Sequence, residues 1–349
     1  MMRSDGIGDF IMSLPAVNAV RRCYRNARIV LFTCSWQEEL AKMSGLFDEI
    51  IIWDRSKNYY LTNPTAFRYY SYRMLEHIPA LRSLRCDLAI DFKDDCRNRF
   101  LMWVCGIRSR VGIVKKGKNV LLTSSVIYHD GMHKSEVYMK LAESLIAAEK
   151  IPPYTLGFSS TTEHVVDNFL KGEEIIKTDN IIIIHPVARW ESKTWPKAKY
   201  AQLSDRLLFL SGVKIVFVGA REDVPAITEI KRMMHNRPSI AAGELTFVQA
   251  SALTQRASLF IGNDAAPMHM AGILDIPTVA LFGSTDPVIS RPLGRDSTVI
   301  RKIKVRCRGC FKKNAGRCIN PGIFCMDEIS VEEVYDICLR YLMSRTGDI

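Results

Sequence analysis

The chain has no uninterrupted apolar run approaching the roughly 18–20 residues that a bilayer-spanning helix requires. It also lacks the apolar core of a secretory signal, because Met1–Asp9 already carries Arg3, Asp5 and Asp9. A cytoplasmic protein is therefore expected, with at most peripheral contact at the inner membrane. Short-period repeats and low-complexity stretches are absent, and 48% hydrophobic against 24% charged residues excludes a disordered chain. There is no basic helix interleaved with aromatics, so no nucleic-acid partner is expected. Acidic residues are in deficit, 37 against 48 basic ones, for a net charge of +11. That excess fits either general solubility or attraction to an anionic partner, such as a nucleotide, a phosphorylated glycolipid or a membrane surface.

What is present is a rhythm. In the C-terminal half, Ile181–Ile184, Lys214–Val218, Ser239–Ala242, Leu259–Gly262 and Thr278–Phe282 read as strands. Between them Lys197–Leu210, Pro225–Met234, Phe247–Arg256 and Met268–Leu274 read as helices. Strands apolar on both faces, separated by helices, predict a parallel sheet covered on both sides, the doubly wound nucleotide-binding architecture. The N-terminal half repeats the pattern less cleanly. Its expected strands are Arg28–Phe32, Glu49–Trp53, Asp87–Asp91 and Arg110–Ile113, and its expected helices Met12–Arg22, Arg97–Val104 and Glu136–Ala148. Tyr59–Tyr72 is amphipathic and has no clear assignment. Ile151–Thr162, with Pro152, Pro153, Gly157 and a Ser/Thr run, has the composition of a linker. At 349 residues two domains are expected, an N-terminal one over 1–165 and a C-terminal one over 166–330, followed by a C-terminal helix in 331–349. Ligands belong at the carboxyl ends of such sheets.

Three constellations fall on strand-to-helix turns. Arg3-Ser-Asp-Gly-Ile-Gly8-Asp9 places two glycines ahead of a helix, letting the backbone approach a ligand. Asp9 there is either an N-cap or a catalytic carboxylate. His185-Pro…Lys193-Thr-Trp-Pro196 follows an apolar strand; its lysine, hydroxyls and helix N–H groups suit a phosphate, the plain alternative being a solvated loop lysine. Gly262-Asn-Asp264-Ala265-Ala266-Pro-Met-His269 again opens a helix after a strand, with Asp264 an N-cap or a ligand contact and His269 a satisfied helix histidine or a site residue. Gly219-Ala-Arg-Glu222 and Gly283-Ser-Thr-Asp-Pro287 lie on the same predicted sheet edge. Of the ten cysteines, Cys307, Cys310, Cys318 and Cys325 cluster within 19 residues. They are read as a closed structural zinc site or as free thiols or disulfides, without a catalytic role.

Taken in order, these motifs resemble the ADP-heptose:lipopolysaccharide heptosyltransferases, glycosyltransferase family 9. The carriers are Gly-x-Gly-Asp9, His185-Pro…Lys193-x-Trp-Pro196, Gly262-x-Asp264-x-x-Pro-Met-His269-x-Ala and Ile276-Pro-Thr-Val-Ala-Leu-Phe-Gly283-x-Thr-Asp-Pro287. The resemblance implies a GT-B fold, α/β, with two Rossmann-like doubly wound domains facing across a cleft, the first for the acceptor and the second for the nucleotide-sugar donor. It implies that the last helix packs back toward the first domain. It implies inverting transfer of a sugar, heptose from ADP-heptose, to a lipopolysaccharide-core or other envelope glycan without a catalytic cofactor. Asp9 matches the general base and Lys193 the residue that neutralises the departing diphosphate. Glu222, Asp264, Ala265, Ala266 and His269 match the donor site, and Arg3 and Gly8 the acceptor side. Two departures stand out. Only Met1 and Met2 precede Arg3 where the resemblance implies an apolar strand, so that strand is expected to be missing. Ala265-Ala266 stands where many members carry Thr-Gly or Ser-Gly. The alternatives are a GT-B enzyme with another nucleotide sugar and a non-catalytic protein binding anionic glycolipid.

Overall fold

The computed structural model describes residues 1–53, 73–115, 120–146, 154–302, 310–311, 318 and 324–346. The Tyr59–Tyr72 stretch and Cys307 lie outside these residues. The chain divides into two compact units, Met1–Tyr154 and Thr155–Ile349. The division falls ahead of the expected boundary near 165. The Ser/Thr run read as linker instead starts a helix: Ser159 is its N-cap and its side chain accepts from the Thr162 N–H.

The first unit runs α1 (Ile7–Cys23), β1 (Val30–Thr33), α2 (Ser35–Ser44), β2 (Glu49–Ile52), α3 (Ile78–Ser83), β3 (Leu88–Asp91), α4 (Cys96–Val104), β4 (Ser109–Val114), β5 (Ser124–Ile127) and α5 (Lys134–Glu143). β1 pairs with β2, and β3, β4 and β5 pair in that order, all parallel. Met1–Arg3 joins the two sets. Met2 bridges both Phe32 and Asp91. Its N–H donates to Ile90 O at 2.8 Å, Arg3 N–H donates to Phe32 O at 3.1 Å, and Phe32 N–H donates to Met1 O at 2.9 Å. The position expected to lack a strand is thus held by three residues, with Met2 buried in the core. That short stretch enters directly into α1, which begins at Ile7, five positions before the expected Met12. Gly6 is its N-cap, so Gly8 and Asp9 belong to its first turn rather than to a preceding loop. The helix at Glu136 likewise starts earlier, at Lys134, because His133 accepts from Ser135 N–H and caps it.

The second unit runs α6 (Ser160–Gly172), β6 (Asn180–His185), α7 (Lys197–Leu208), β7 (Val213–Phe217), α8 (Val224–Met233), β8 (Ser239–Ile240), α9 (Phe247–Gln255), β9 (Leu259–Asn263), α10 (Ala266–Ile273), β10 (Thr278–Phe282), β11 (Ser297–Arg301) and α11 (Val331–Thr346). Its six strands form one parallel sheet in the order β11-β10-β9-β6-β7-β8. Both faces are covered, as the apolar runs predicted. Ile182 and Ile184 pack with Trp195, Leu203 and Val334 on one side, while Ile181 and Ile183 pack with Val166, Phe260 and Met268 on the other. Burying each such side chain contributes about 1.5–3 kcal/mol, which makes this sheet a rigid platform for the loops at its carboxyl edge. The last helix, α11, packs on α7, β9 and β10 of its own unit. Among the described residues no helix is long and apolar enough to cross a membrane.

Candidate functional site

The motif residues of the second unit converge at the carboxyl ends of β6, β9 and β10. A 3₁₀ turn, Glu191–Lys193, follows β6 and sets Lys193 beside the turn after β9. Its ammonium donates to Asp264 Oδ2 at 2.7 Å and to the Asp264 carbonyl at 3.3 Å. It also stands 4.7 Å from the centre of the Trp190 ring. Asp264 is 7% exposed. Thr285, from the loop after β10, donates its hydroxyl to Oδ2 at 2.8 Å, and His269 Nε2 stands 3.5 Å from Oδ1. Burial disfavours the Asp264 charge, but the His269 contact and Lys193 outweigh it and hold the carboxyl far below its ordinary range. The group is a fixed anion that keeps a lysine oriented.

The scaffold of this cluster is built into the same loops. Asn263 Oδ1 accepts from Trp195 N–H at 3.2 Å, and its amide donates to Pro186 O at 3.0 Å, tying the turn after β9 to the chain after β6. Trp195 is fully buried and its indole N–H donates to Ile329 O at 3.0 Å. Ser284 N–H donates to Ser192 O at 3.2 Å. Ala265 is the N-cap of α10 and supplies no side-chain cap, with Ala266 the first helical residue. In the first turn of that helix Pro267 has no N–H and the Met268 and His269 N–H groups donate to the Ala265 carbonyl, which leaves the Ala266 N–H as the backbone donor that the helix itself does not use. Glu222 lies exposed in the loop after β7, where its neighbour Asp223 faces His185 Nε2 at 3.8 Å. Burial raises the Asp223 carboxyl, but His185 and the Ala220 N–H more than reverse this and lower it.

Asp9 and Arg3 form a separate cluster within the first unit. Asp9 sits in the first turn of α1, where a carboxylate is favoured by the helix dipole, and Lys134 from α5 donates to its Oδ1 at 2.6 Å. Burial opposes the Lys134 charge, but Asp9 and Tyr138 offset this and hold the ammonium above its ordinary range. Arg3 is 1% exposed. Its guanidinium donates to the Phe92 carbonyl and, at 2.7 Å, to the Tyr138 hydroxyl; it pairs with Asp5 at 2.9 Å and stands 3.9 Å from Asp9. An arginine so enclosed acts on the geometry of Asp9. Gly8 contributes backbone in the same turn. The Asp5 carbonyl accepts from Trp36 and Gln37 of α2, which fixes the turn from outside.

Sequence reasoning missed Thr285, Lys134 and Tyr138. Thr285 lay in a loop already singled out as polar. Lys134 carried no signal, because the expected helix began two residues later, at Glu136. The zinc expectation finds no support: among the described residues no group of three or more His, Cys, Asp or Glu could hold a metal ion. Cys325 is buried in the apolar cluster with Met326 and Ile329, as a small hydrophobe.

Comparison with known proteins gives this geometry a context. The Escherichia coli protein named lipopolysaccharide heptosyltransferase 3 is 36% identical over 116 residues, which are 32% of this chain and 34% of that protein. In that match the chain spans about a third of its relative's length. A protein of the same name from strain K12 is 26% identical over 304 residues, 82% of each chain. The solved structure of E. coli ADP-heptose LPS heptosyltransferase II superposes with a TM-score of 0.75 at 21% identity, covering 99% of this chain and 98% of that one. This likeness shows the fold class, GT-B with two Rossmann-like units. The family profile described as "Glycosyltransferase family 9 (heptosyltransferase)" matches residues 74–317, a span that holds Lys193, Asp264 and His269 but not Asp9. With more than half of its length matched, the chain belongs to glycosyltransferase family 9, the heptosyltransferases.

Proposed function

We propose that the chain is an inverting glycosyltransferase that moves heptose from ADP-heptose to a lipopolysaccharide-core or other anionic envelope glycan. The observation that carries this is Lys193 seated on the buried Asp264 beside the uncapped start of α10, in a chain of this family. In this reading Lys193, held by Asp264, which His269 and Thr285 fix in turn, meets the donor diphosphate, with the Ala266 N–H at the start of α10 as a second donor. Charge on the leaving group grows as the bond to the anomeric carbon breaks, and a preorganised cation there acts most strongly in the transition state. Glu222 contributes to nucleotide binding from the loop after β7.

Asp9 is assigned the general base. It takes the proton of the acceptor hydroxyl as that oxygen bonds to the anomeric carbon, while the anomeric carbon–oxygen bond breaks and its electron pair leaves with ADP. A base in this role contributes on the order of 10²–10⁴-fold in rate. The net charge of +11 suits an anionic acceptor. No cofactor takes part in these steps.

The test is acceptor-dependent release of ADP. The purified full chain should release ADP from ADP-heptose when a heptose-accepting core oligosaccharide is present, and not without it. Ala265 and Ala266 favour checking a second reading, another nucleotide sugar, because neither can offer the donor a hydroxyl. Faster release from a uridine or guanosine sugar than from ADP-heptose would displace the heptose assignment and leave the glycosyltransferase intact. Absence of release from all of them would remove the enzymatic reading.

A further inference from the structure

Asp9 is held by a partner whose own placement calls for an explanation. Lys134 occupies the first turn of α5, directly after the His133 cap. A cation there faces the positive end of the helix dipole and weakens the helix. The helix gains nothing from it, whereas the ammonium lies 2.6 Å from Asp9 Oδ1. One turn further along the same face, Tyr138 receives Arg3, its hydroxyl at 2.7 Å and its ring centre at 4.4 Å. Two residues of one helix face thus fix the two charged side chains at the mouth of α1.

Arg3, Lys134, Tyr138 and the Asp5 carboxylate surround Asp9, and Lys93, from the loop after β3, acts on Asp5. Lys134 donates directly to Asp9, whereas Arg3 is shared with Asp5 and stands 3.9 Å away. Removing Lys134 takes away a positive charge 2.6 Å from Asp9 and shifts that carboxyl toward its protonated form. The Lys134 side chain is 39% exposed and that of Asp9 25%, so the pair is open to a substrate while Arg3 is not.

From this geometry we propose that Lys134 is a positioning residue for the reaction, keeping Asp9 ionised and in one rotamer as the acceptor hydroxyl docks. The proposal rests on the assignment of Asp9 as base. Its test is the pH profile of kcat and kcat/KM for the full chain with ADP-heptose and core oligosaccharide. Lys134→Met should lower kcat about ten- to a hundredfold, leave the donor KM within about twofold, and move the acid limb up by about one pH unit. Lys134→Arg, which keeps the charge, should restore most of the rate and the original limb. In an Asp9→Asn background, Lys134→Met should add no further loss, because it acts only through Asp9. Should the methionine variant fail to fold, Lys134→Gln must show the same shifted limb. Wild-type kcat and an unmoved acid limb in Lys134→Met, with Asp9→Asn inactive, overturn the proposal and leave the base assignment standing. A loss that adds fully to that of Asp9→Asn also overturns it. Wild-type turnover by Asp9→Asn instead removes the base assignment, and the proposal with it.

Discussion

Replacing Lys193 with Met separates what the Lys193–Asp264 pair does for stability from what it does for turnover. The substitution keeps an unbranched chain of similar length but leaves Asp264 charged and 7% exposed. Breaking a fully buried pair by removing one partner costs about 3–5 kcal/mol. Here 17% of the Lys193 side chain remains exposed, and Asp264 retains Thr285 and His269. A cost at or below the low end of that range, about 2–3 kcal/mol, is therefore expected. For a unit of this size that corresponds to about 4–12 °C in Tm. Turnover should fall further, about 10²–10³-fold in kcat, as for other preorganised charges facing a leaving group. The decisive variant carries Asp264→Asn as well. Without a charge on residue 264 there is no unpaired carboxylate, so most of the lost Tm should return, yet turnover should stay low because the ammonium is still missing. The assays are thermal melting and acceptor-dependent ADP release on the same preparations. Unchanged turnover in the single variant, or its recovery in the double one, would refute the role given to Lys193.

Three further outcomes follow from other parts of the structure. Asp91 is fully buried, and burial raises its carboxyl to about 6 despite donors from Asn98 and the Lys93 and Asp95 N–H groups. A folded-state value raised above the unfolded one gives stability that is complete below about pH 4 and lost as pH rises through about 6, on the order of 3 kcal/mol; Asp91→Asn should flatten this dependence in pH-resolved denaturant melts of the full chain. At Gly283 an added methyl would collide with the Ser192 carbonyl oxygen and meet Met326 Sδ at 2.7 Å. Gly283→Ala should thus destabilise by about 1–3 kcal/mol in chemical denaturation and, by moving Ser192, lower turnover as well. Treatment with a chelator followed by dialysis should leave ADP release within twofold of the untreated enzyme, because the proposed function gives the diphosphate to Lys193 rather than to a metal.

Much of the second unit could be read from residues alone, for one physical reason. A parallel sheet covered on both faces writes its strands as short runs of Ile, Val and Phe, and β6, β7, β9 and β10 are such runs. The loops after them then follow by topology, which is why Lys193, Asp264 and His269 could be named and are found in contact. β11 was missed because Ser297-Thr-Val-Ile-Arg301 is a partly exposed edge strand with a single fully buried side chain, Ile300. In the first unit the start of α1 was misplaced because Gly6 and Gly8 signal a turn, yet Gly6 is the N-cap and Gly8 lies inside the 17-residue helix. The role of Met1–Arg3 was hidden for a different reason: three residues carry no periodicity, and their strand character exists only through pairing with Phe32 and Asp91. Lys134 and Tyr138 were hidden because their significance lies in a contact 125 or more residues away along the chain.

The central claim, that Asp9 is the proton acceptor and the second unit binds the donor independently of it, is tested most directly by one pair of measurements on Asp9→Asn. The first is the Kd for ADP-heptose by calorimetry, and the second is the single-turnover rate of ADP release with acceptor present. The account predicts a Kd within about twofold of wild type and a rate reduced by about 10²–10⁴-fold. A variant that keeps its rate, or one that loses donor binding along with it, would contradict the account.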